Sequence, residues 1–225
     1  MSPDAHLIGI VFASGPAHVN REVIEHERRT GDGVDRALTR KLGERGWIAS
    51  GWPVDEGGAG LDPFEAAALW NALRKGGVPT AGPGTTMLPA NAIRATGSAE
   101  LKNRVLPGVA AGEVLICLGY TEPAGGSDVF ACATRSQRDG DEWIVNGQKI
   151  FTTFAHLADY CFLGQWRHQG QLYGFSGVSL EMAEIRNQST RHEARRNLLG
   201  NAYQEECLIQ ETTSSPSTVN RFERW

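Results

Sequence analysis

The sequence predicts an α+β chain in which an N-terminal all-helical domain is followed by a partial antiparallel β-barrel or sandwich domain. Apolar residues recur at helical spacing in the first half of the chain, and Pro and Gly punctuate the ends of those runs. Beyond residue 115 the pattern becomes strand-like and carries two-residue Asp139-Gly140 and Asn146-Gly147 steps, which supply the positive φ angles of tight hairpin turns. The expected organisation is a helical domain over 1–113, an incomplete β domain over 114–180, and a divergent tail over 181–225.

Val34, Leu38 and Leu42 recur every four residues on one face, and Gly46 follows as a natural stop. Asp62-Pro63-Phe64-Glu65 is a fuller start signal. Asp62 can cap, Pro63 suits the first helical position and Glu65 can bond back to the cap, so a helix is predicted as far as Lys75, ahead of Gly76-Gly77. Ser98 is expected to cap a further helix through Glu100, Leu101 and Val105, with Pro107 as its boundary. An apolar strand over Val114–Leu118 comes next. Ala131–Gln137, Glu142–Val145 and Gln148–Thr153 are then expected to pair in order as a meander, and Tyr160–Trp166 to add a later strand.

Composition narrows the function classes. The 225 residues carry a formal net charge of −4, with Lys and Arg scattered among acidic residues, so no basic stripe is present to follow a nucleic-acid backbone. The four cysteines, Cys117, Cys132, Cys161 and Cys207, form no CxxC pair and have no His at metal-ligand spacing; they read as reduced, buried thiols, and no metal site is expected. Leu7–Ala13 is apolar but short and lacks a preceding Lys or Arg, and no stretch approaches the ~18 apolar residues of a membrane span. These features are those expected of a cytoplasmic protein.

Two segments could carry chemistry. In the Thr121–Asp128 loop, Gly125-Gly126 removes side chains so that backbone N–H groups can approach an anion, and Ser127 adds a hydroxyl. Alone this is a Gly-rich turn; no GxGxxG opens a helix here and no Walker-type Lys is present. In the second, Gln148-Lys149-Ile150-Phe151-Thr152-Thr153, a strand ends in an aromatic and two hydroxyls. That combination suits a wall for a planar heteroaromatic ring, held by stacking and a few directed hydrogen bonds, and equally an ordinary strand. His156 reads as a surface residue and Asp128 as a turn-stabilising side chain.

The two segments together change the reading. Thr121-Glu122-Pro123 with Gly126-Ser127-Asp128, followed by Asn146-Gly147-Gln148-Lys149 and Thr152-Thr153, resembles the middle-domain signature of the acyl-CoA dehydrogenases. Gly46-Trp47-Ile48 with Trp52–Leu61 resembles the family's glycine-rich turn between N-terminal helices. Gly97–Lys102, Leu106-Pro107 and Ala111-Gly112-Glu113 are similar to its helix leading into the β domain. The resemblance covers roughly residues 20–163.

The resemblance implies FAD as cofactor, held by Leu118, Tyr120, Thr121, Gly126, Ser127, Phe151, Thr152 and Thr153, with Ser127 also near an acyl-CoA substrate. Thr153 would donate toward flavin N5 and Phe151 would pack on the ring. Phe151 stands where many members have Trp, and Leu118 where an aromatic is common. The implied reaction is α,β-dehydrogenation of an acyl-CoA thioester. Its base is a Glu of a third, helical domain, so no catalytic residue is assigned here, and a truncated chain, weakly active or inactive alone, is expected. The alternative is a non-catalytic subunit that forms a homo- or hetero-oligomer with a full-length relative. Beyond Gly164 the family's closing strands are not recognisable. Glu181–Arg196 reads as charged and helix-compatible and Thr212–Thr218 as a linker, from either a frame shift or divergence.

Overall fold

The computed structural model describes residues 21–30, 33–125, 127, 133–139, 142–155, 157–167, 174–179, 185–187 and 207–214. It divides into two compact units, Met1–Ala90 with Arg104–Val114, and Asn91–Asn103 with Leu115–Trp225. Among the described residues five helices come first: α1 Arg21–Thr30, α2 Arg36–Gly43, α3 Pro63–Lys75, α4 Ala81–Thr96 and α5 Ala99–Ala110, with a short 3₁₀ turn at Val54–Glu56. Seven described strands follow: β1 Ile116–Gly119, β2 Arg135–Asp139, β3 Glu142–Lys149, β4 Tyr160–Arg167, β5 Gly174–Ser179, β6 Ile185–Asn187 and β7 Cys207–Ser214. The helices-then-strands class expected from the sequence is therefore the observed one. Among the described residues no helix is long and apolar enough to cross a membrane.

In the first unit, Val23 of α1, Leu38 and Leu42 of α2, and Leu69, Ala72 and Leu73 of α3 close on Trp47, Ile48 and Val78 as one core. Leu38 and Leu42 are the predicted face of α2. The chain leaves this helix through Gly46 at φ 70°, a left-handed conformation that an L side chain adopts only at a cost.

The predicted start of α3 is a full capping box: Asp62 Oδ1 accepts from the amides of Phe64 (2.8 Å) and Glu65 (3.0 Å), while Glu65 Oε2 accepts from the Asp62 amide. These bonds satisfy helix N–H groups that have no partner within the helix. Asp62→Ala should accordingly lower the first unit's stability by about 1 kcal/mol, read as a shift in its denaturant midpoint.

Two helical features depart from expectation. Ser98 Oγ accepts from the Leu101 amide at 3.2 Å as predicted, but Pro107 lies inside α5 rather than bounding it. The turn continues because Pro107 O still accepts from Ala111 N, and because Val105, Val109 and Ala110 are buried there. Helix α4 was not expected. It accommodates Pro83 in its first turn, where a missing N–H costs no intrahelical bond, and Pro89 within its length.

In the second unit the strand order is β1-β4-β2-β3-β7-β6, with β5 also on β4. The hairpin expected at the Asp139-Gly140 step is present: β2 ends at Asp139, which pairs with Glu142 at the start of antiparallel β3. The Asn146-Gly147 step is not a turn. Asn146 pairs with Arg135 of β2, and β3 runs on to Lys149, its register against β7 shifting between Val145 and Gly147. Glu142–Val145 and the residues that follow are thus one strand, flanked by β2 and β7, so the expected in-order meander is replaced.

The pairings of β1 with β4 and of β2 with β4 are parallel, which makes the sheet mixed rather than purely antiparallel. The tail also contributes. Ile185–Asn187, expected to be helix-compatible, is β6, and Thr212–Ser214, expected to be linker, is the end of β7. β-branched Thr212 and Thr213 suit a pleated ladder, here opposite Val145 and Ile144.

Candidate functional site

Strand β1 delivers the loop. Ile116 to Gly119 run parallel to Tyr160 to Leu163 of β4, with Leu118 opposite Phe162. Its start is anchored by the loop before β4: Leu115 N donates to Asp159 Oδ2 at 2.8 Å, and Leu115 O accepts from the amides of Asp159 and Tyr160. Past Gly119 the ring of Tyr120 lies 6.2 Å from that of Phe162, tilted by 59°. Burial, reinforced by the neighbouring Cys161 thiol, pushes the Tyr120 hydroxyl up to about 12. The chain then folds on itself: Glu122 N donates to Gly125 O at 3.2 Å, and Gly125 N to Glu122 O at 3.1 Å.

The end of β3 meets this loop. Ile150 N donates to Thr121 O at 3.0 Å, which sets the Phe151–Thr153 segment beside Tyr120 and Thr121. Phe151 is at φ 56° and its side chain is 46% exposed; Phe154, at φ 46°, is buried. A bulky residue at positive φ is an outlier costing about 1–3 kcal/mol, so the surroundings must hold these two aromatics where they are. Between them, Thr152 is completely buried, and its Oγ1 has no hydrogen-bond partner among the described residues. Thr153 is exposed.

Of the residues the sequence singled out, Leu118, Tyr120, Thr121, Phe151, Thr152 and Thr153 therefore lie on two adjoining segments. Ser127 is exposed. Gly126, Asp128 and His156 fall outside the described residues.

What sequence reasoning missed lies under the loop. Lys149 is wholly buried at the end of β3, and its Nζ donates to Glu122 Oε1 at 2.7 Å and to Tyr120 O at 3.2 Å. Thr134, also fully buried, donates to Glu122 Oε1 through both its amide (2.9 Å) and its hydroxyl (2.6 Å), and the Ala133 amide donates to Oε2. Desolvation pushes the Glu122 carboxyl up, but the Lys149 ammonium, the Thr134 hydroxyl and the two amides outweigh it and hold the group down to about 2. Gly147 makes this possible. A Cβ there would stand 2.2 Å from Thr134 Oγ1 and 2.7 Å from Thr134 Cα. The available signal was a Lys at the end of a strand and a Glu in the turn it meets, opposite charges to which the sequence assigned no other role.

Comparison with known proteins supplies the family. Residues 16–113 match the model of the acyl-CoA dehydrogenase N-terminal domain, and residues 117–205 that of the acyl-CoA dehydrogenase middle domain. The second match runs well past residue 163, so the stretch after Gly164, in which the family's closing strands were not recognisable, matches the middle-domain model as far as residue 205. Acyl-CoA dehydrogenase FadE29 of Mycobacterium tuberculosis is 42% identical over 129 residues, 57% of this chain and 33% of that one.

Among solved structures, one described as "Tcur3481-Tcur3483 steroid ACAD" superimposes with a TM-score of 0.78 at 26% identity, over 97% of this chain and 57% of that one. The ChsE4-ChsE5 complex from Mycobacterium tuberculosis gives 0.80 at 23%, over 97% and 56%. The chain thus matches about a third of the length of that curated relative and somewhat over half of these structures.

Proposed function

We propose that this chain, which belongs to the acyl-CoA dehydrogenase family and carries its N-terminal and middle domains, holds the isoalloxazine of FAD between the Tyr120–Ser127 loop and the Phe151–Thr153 segment. Leu118, Tyr120, Thr121 and Ser127 form one wall and Phe151, Thr152 and Thr153 the other, with Ser127 also facing an acyl-CoA thioester. When bound, the flavin supplies the acceptor for the hydride that leaves the thioester's β carbon. The chain's own part is to bind and orient: Phe151 offers an aromatic face, and Thr153 an exposed hydroxyl for the ring edge. No described residue is assigned to removal of the α proton.

The observation that carries this reading is the Thr152 hydroxyl, buried and unpartnered beside an exposed aromatic held at positive φ. A buried hydroxyl without a partner costs about 1–3 kcal/mol, and a ligand able to bond it removes that cost. Thr152→Val keeps the shape and deletes the group. The variant should be more stable than the parent by about 1 kcal/mol without flavin and should bind FAD about tenfold more weakly, equivalent to about 1.4 kcal/mol. Titration of the purified chain with FAD, followed by flavin absorbance and thermal midpoint, checks both. Parent protein that is neither coloured nor stabilised by FAD would remove the reading.

A second reading is favoured by the ChsE4-ChsE5 structure, described as a complex of two differently named chains. In it this chain is a non-catalytic subunit that assembles with a full-length relative, and dehydrogenation of an acyl-CoA, of fatty or steroid type, belongs to the assembly. Gel filtration with and without such a relative discriminates; a chain that stays monomeric, folded and flavin-bound in its presence needs no partner. A cytoplasmic setting belongs to either version.

A further inference from the structure

We propose that Glu122 and Lys149, neither of which reaches the flavin-facing surface, form an internal clamp that positions the Tyr120–Gly125 loop against the Phe151–Thr153 segment. As a role in cofactor binding it rests on the FAD reading above; as a statement about the loop it stands on geometry.

One carboxylate gathers three stretches of chain. Glu122 Oε1 accepts from Lys149 Nζ at the end of β3 and from the Thr134 amide and hydroxyl ahead of β2, and Oε2 accepts from the Ala133 amide. Lys149 Nζ spends a second hydrogen bond on Tyr120 O. The very next residue ties the same two segments through Ile150 N and Thr121 O. The loop and the strand end are thus joined by three consecutive links, at Tyr120, Thr121 and Glu122. The residue that follows these links on the strand side is Phe151.

Burial makes this arrangement informative. Lys149 is 0% exposed and Glu122 5%, so both charges have been taken from water at a high desolvation cost. Apolar residues of similar volume fill such a site at least as stably, as a rule. An apolar pair lacks direction, however. A short, charge-assisted bond to a carboxylate with several donors fixes where the backbone on each side must lie. With both side chains enclosed, the pair acts through its neighbours, and the groups it fixes, Tyr120 and Thr121 on one side and Phe151 on the other, are those assigned to the flavin.

The test separates positioning from stability. Lys149→Met leaves the Glu122 charge buried without its partner, and should lower the thermal midpoint, expose the loop amides to exchange and weaken FAD binding together. The double variant Glu122→Gln/Lys149→Met has no uncompensated charge and should recover the parental midpoint. Its Gly125 and Ile150 amides should nevertheless exchange with deuterium at least tenfold faster than in the parent, and its FAD affinity should remain at least tenfold lower. Thr134→Val, which removes a single bond to the carboxylate, provides a milder case should the Lys149 variants not fold, with exchange at the same amides two- to fivefold faster.

A double variant that regains loop protection and FAD affinity along with its midpoint would show that the pair serves stability alone, and would overturn the proposal. So would unchanged exchange in Thr134→Val where the others do not fold. If the parent binds no FAD, the flavin reading fails while amide exchange still decides the clamp.

Discussion

A Gly147→Val variant is expected to lose about 3 kcal/mol of stability in the β unit, the upper end of the range typical when a core is overpacked against atoms that cannot move aside. The neighbour is backbone as well as side chain: a Cβ at 147 would lie 2.6 Å from Thr134 Cβ, 2.7 Å from Thr134 Cα and 2.2 Å from its hydroxyl. None is the far end of a flexible side chain, so either β3 or the Ala133–Thr134 segment must shift. Either movement pulls the Thr134 donors away from Glu122, and with them the loop that Glu122 holds. A β-branched residue would ordinarily improve a strand, which makes the sign of the effect diagnostic. Denaturant unfolding of parent and variant measures it; a Gly147→Val chain as stable as the parent would show that the close approach of Thr134 to Gly147 is not required.

This position also marks where the sequence was legible and where it was not. Asn-Gly between two apolar runs is a strong hairpin signal, and the hairpin expected at the neighbouring Asp139-Gly140 step is present. At Asn146-Gly147 the same pair of residues serves another need, room for Thr134, and that need exists only once β2 and β3 are side by side. The capping box at Asp62 was readable because all its partners lie within four residues. Helix α4 was not, because Gly82, Pro83, Gly84 and Pro89 read locally as breakers, whereas packing decides helices of this kind. Strand β7 pairs with β3 from some 60 residues away along the chain, and its Ser- and Thr-rich end gave no local sign of a partner. At the candidate site, motif resemblance was enough to group Tyr120, Thr121, Phe151, Thr152 and Thr153, which the fold sets on two adjoining segments. The Glu122–Lys149 pair escaped because burial, the property that distinguishes it from a surface ion pair, belongs to the folded chain and not to either residue.

Acid provides the most direct measure of that burial. The Glu122 carboxyl is held down to about 2, from an ordinary value of 4.5, by Lys149, Thr134 and two amides acting against desolvation. Between those values the unfolded chain binds a proton at this position and the folded chain does not, so protonation draws the equilibrium toward the unfolded state. The stabilisation is fully present above pH 4.5, declines as pH falls, and is gone below about 2. At about 1.36 kcal/mol per unit the whole effect approaches about 3 kcal/mol, an order-of-magnitude figure for a single carboxylate. Glu122→Gln should behave in the opposite manner: less stable than the parent at neutral pH, because Lys149 then lacks a countercharge, yet with a flatter acid limb. The other carboxylates contribute alike to both proteins, so the difference between the two stability curves from pH 5.5 downward isolates this one group. If the curves run parallel through that range, Glu122 carries no depressed pKa and the ion pair beneath the loop is not formed in solution.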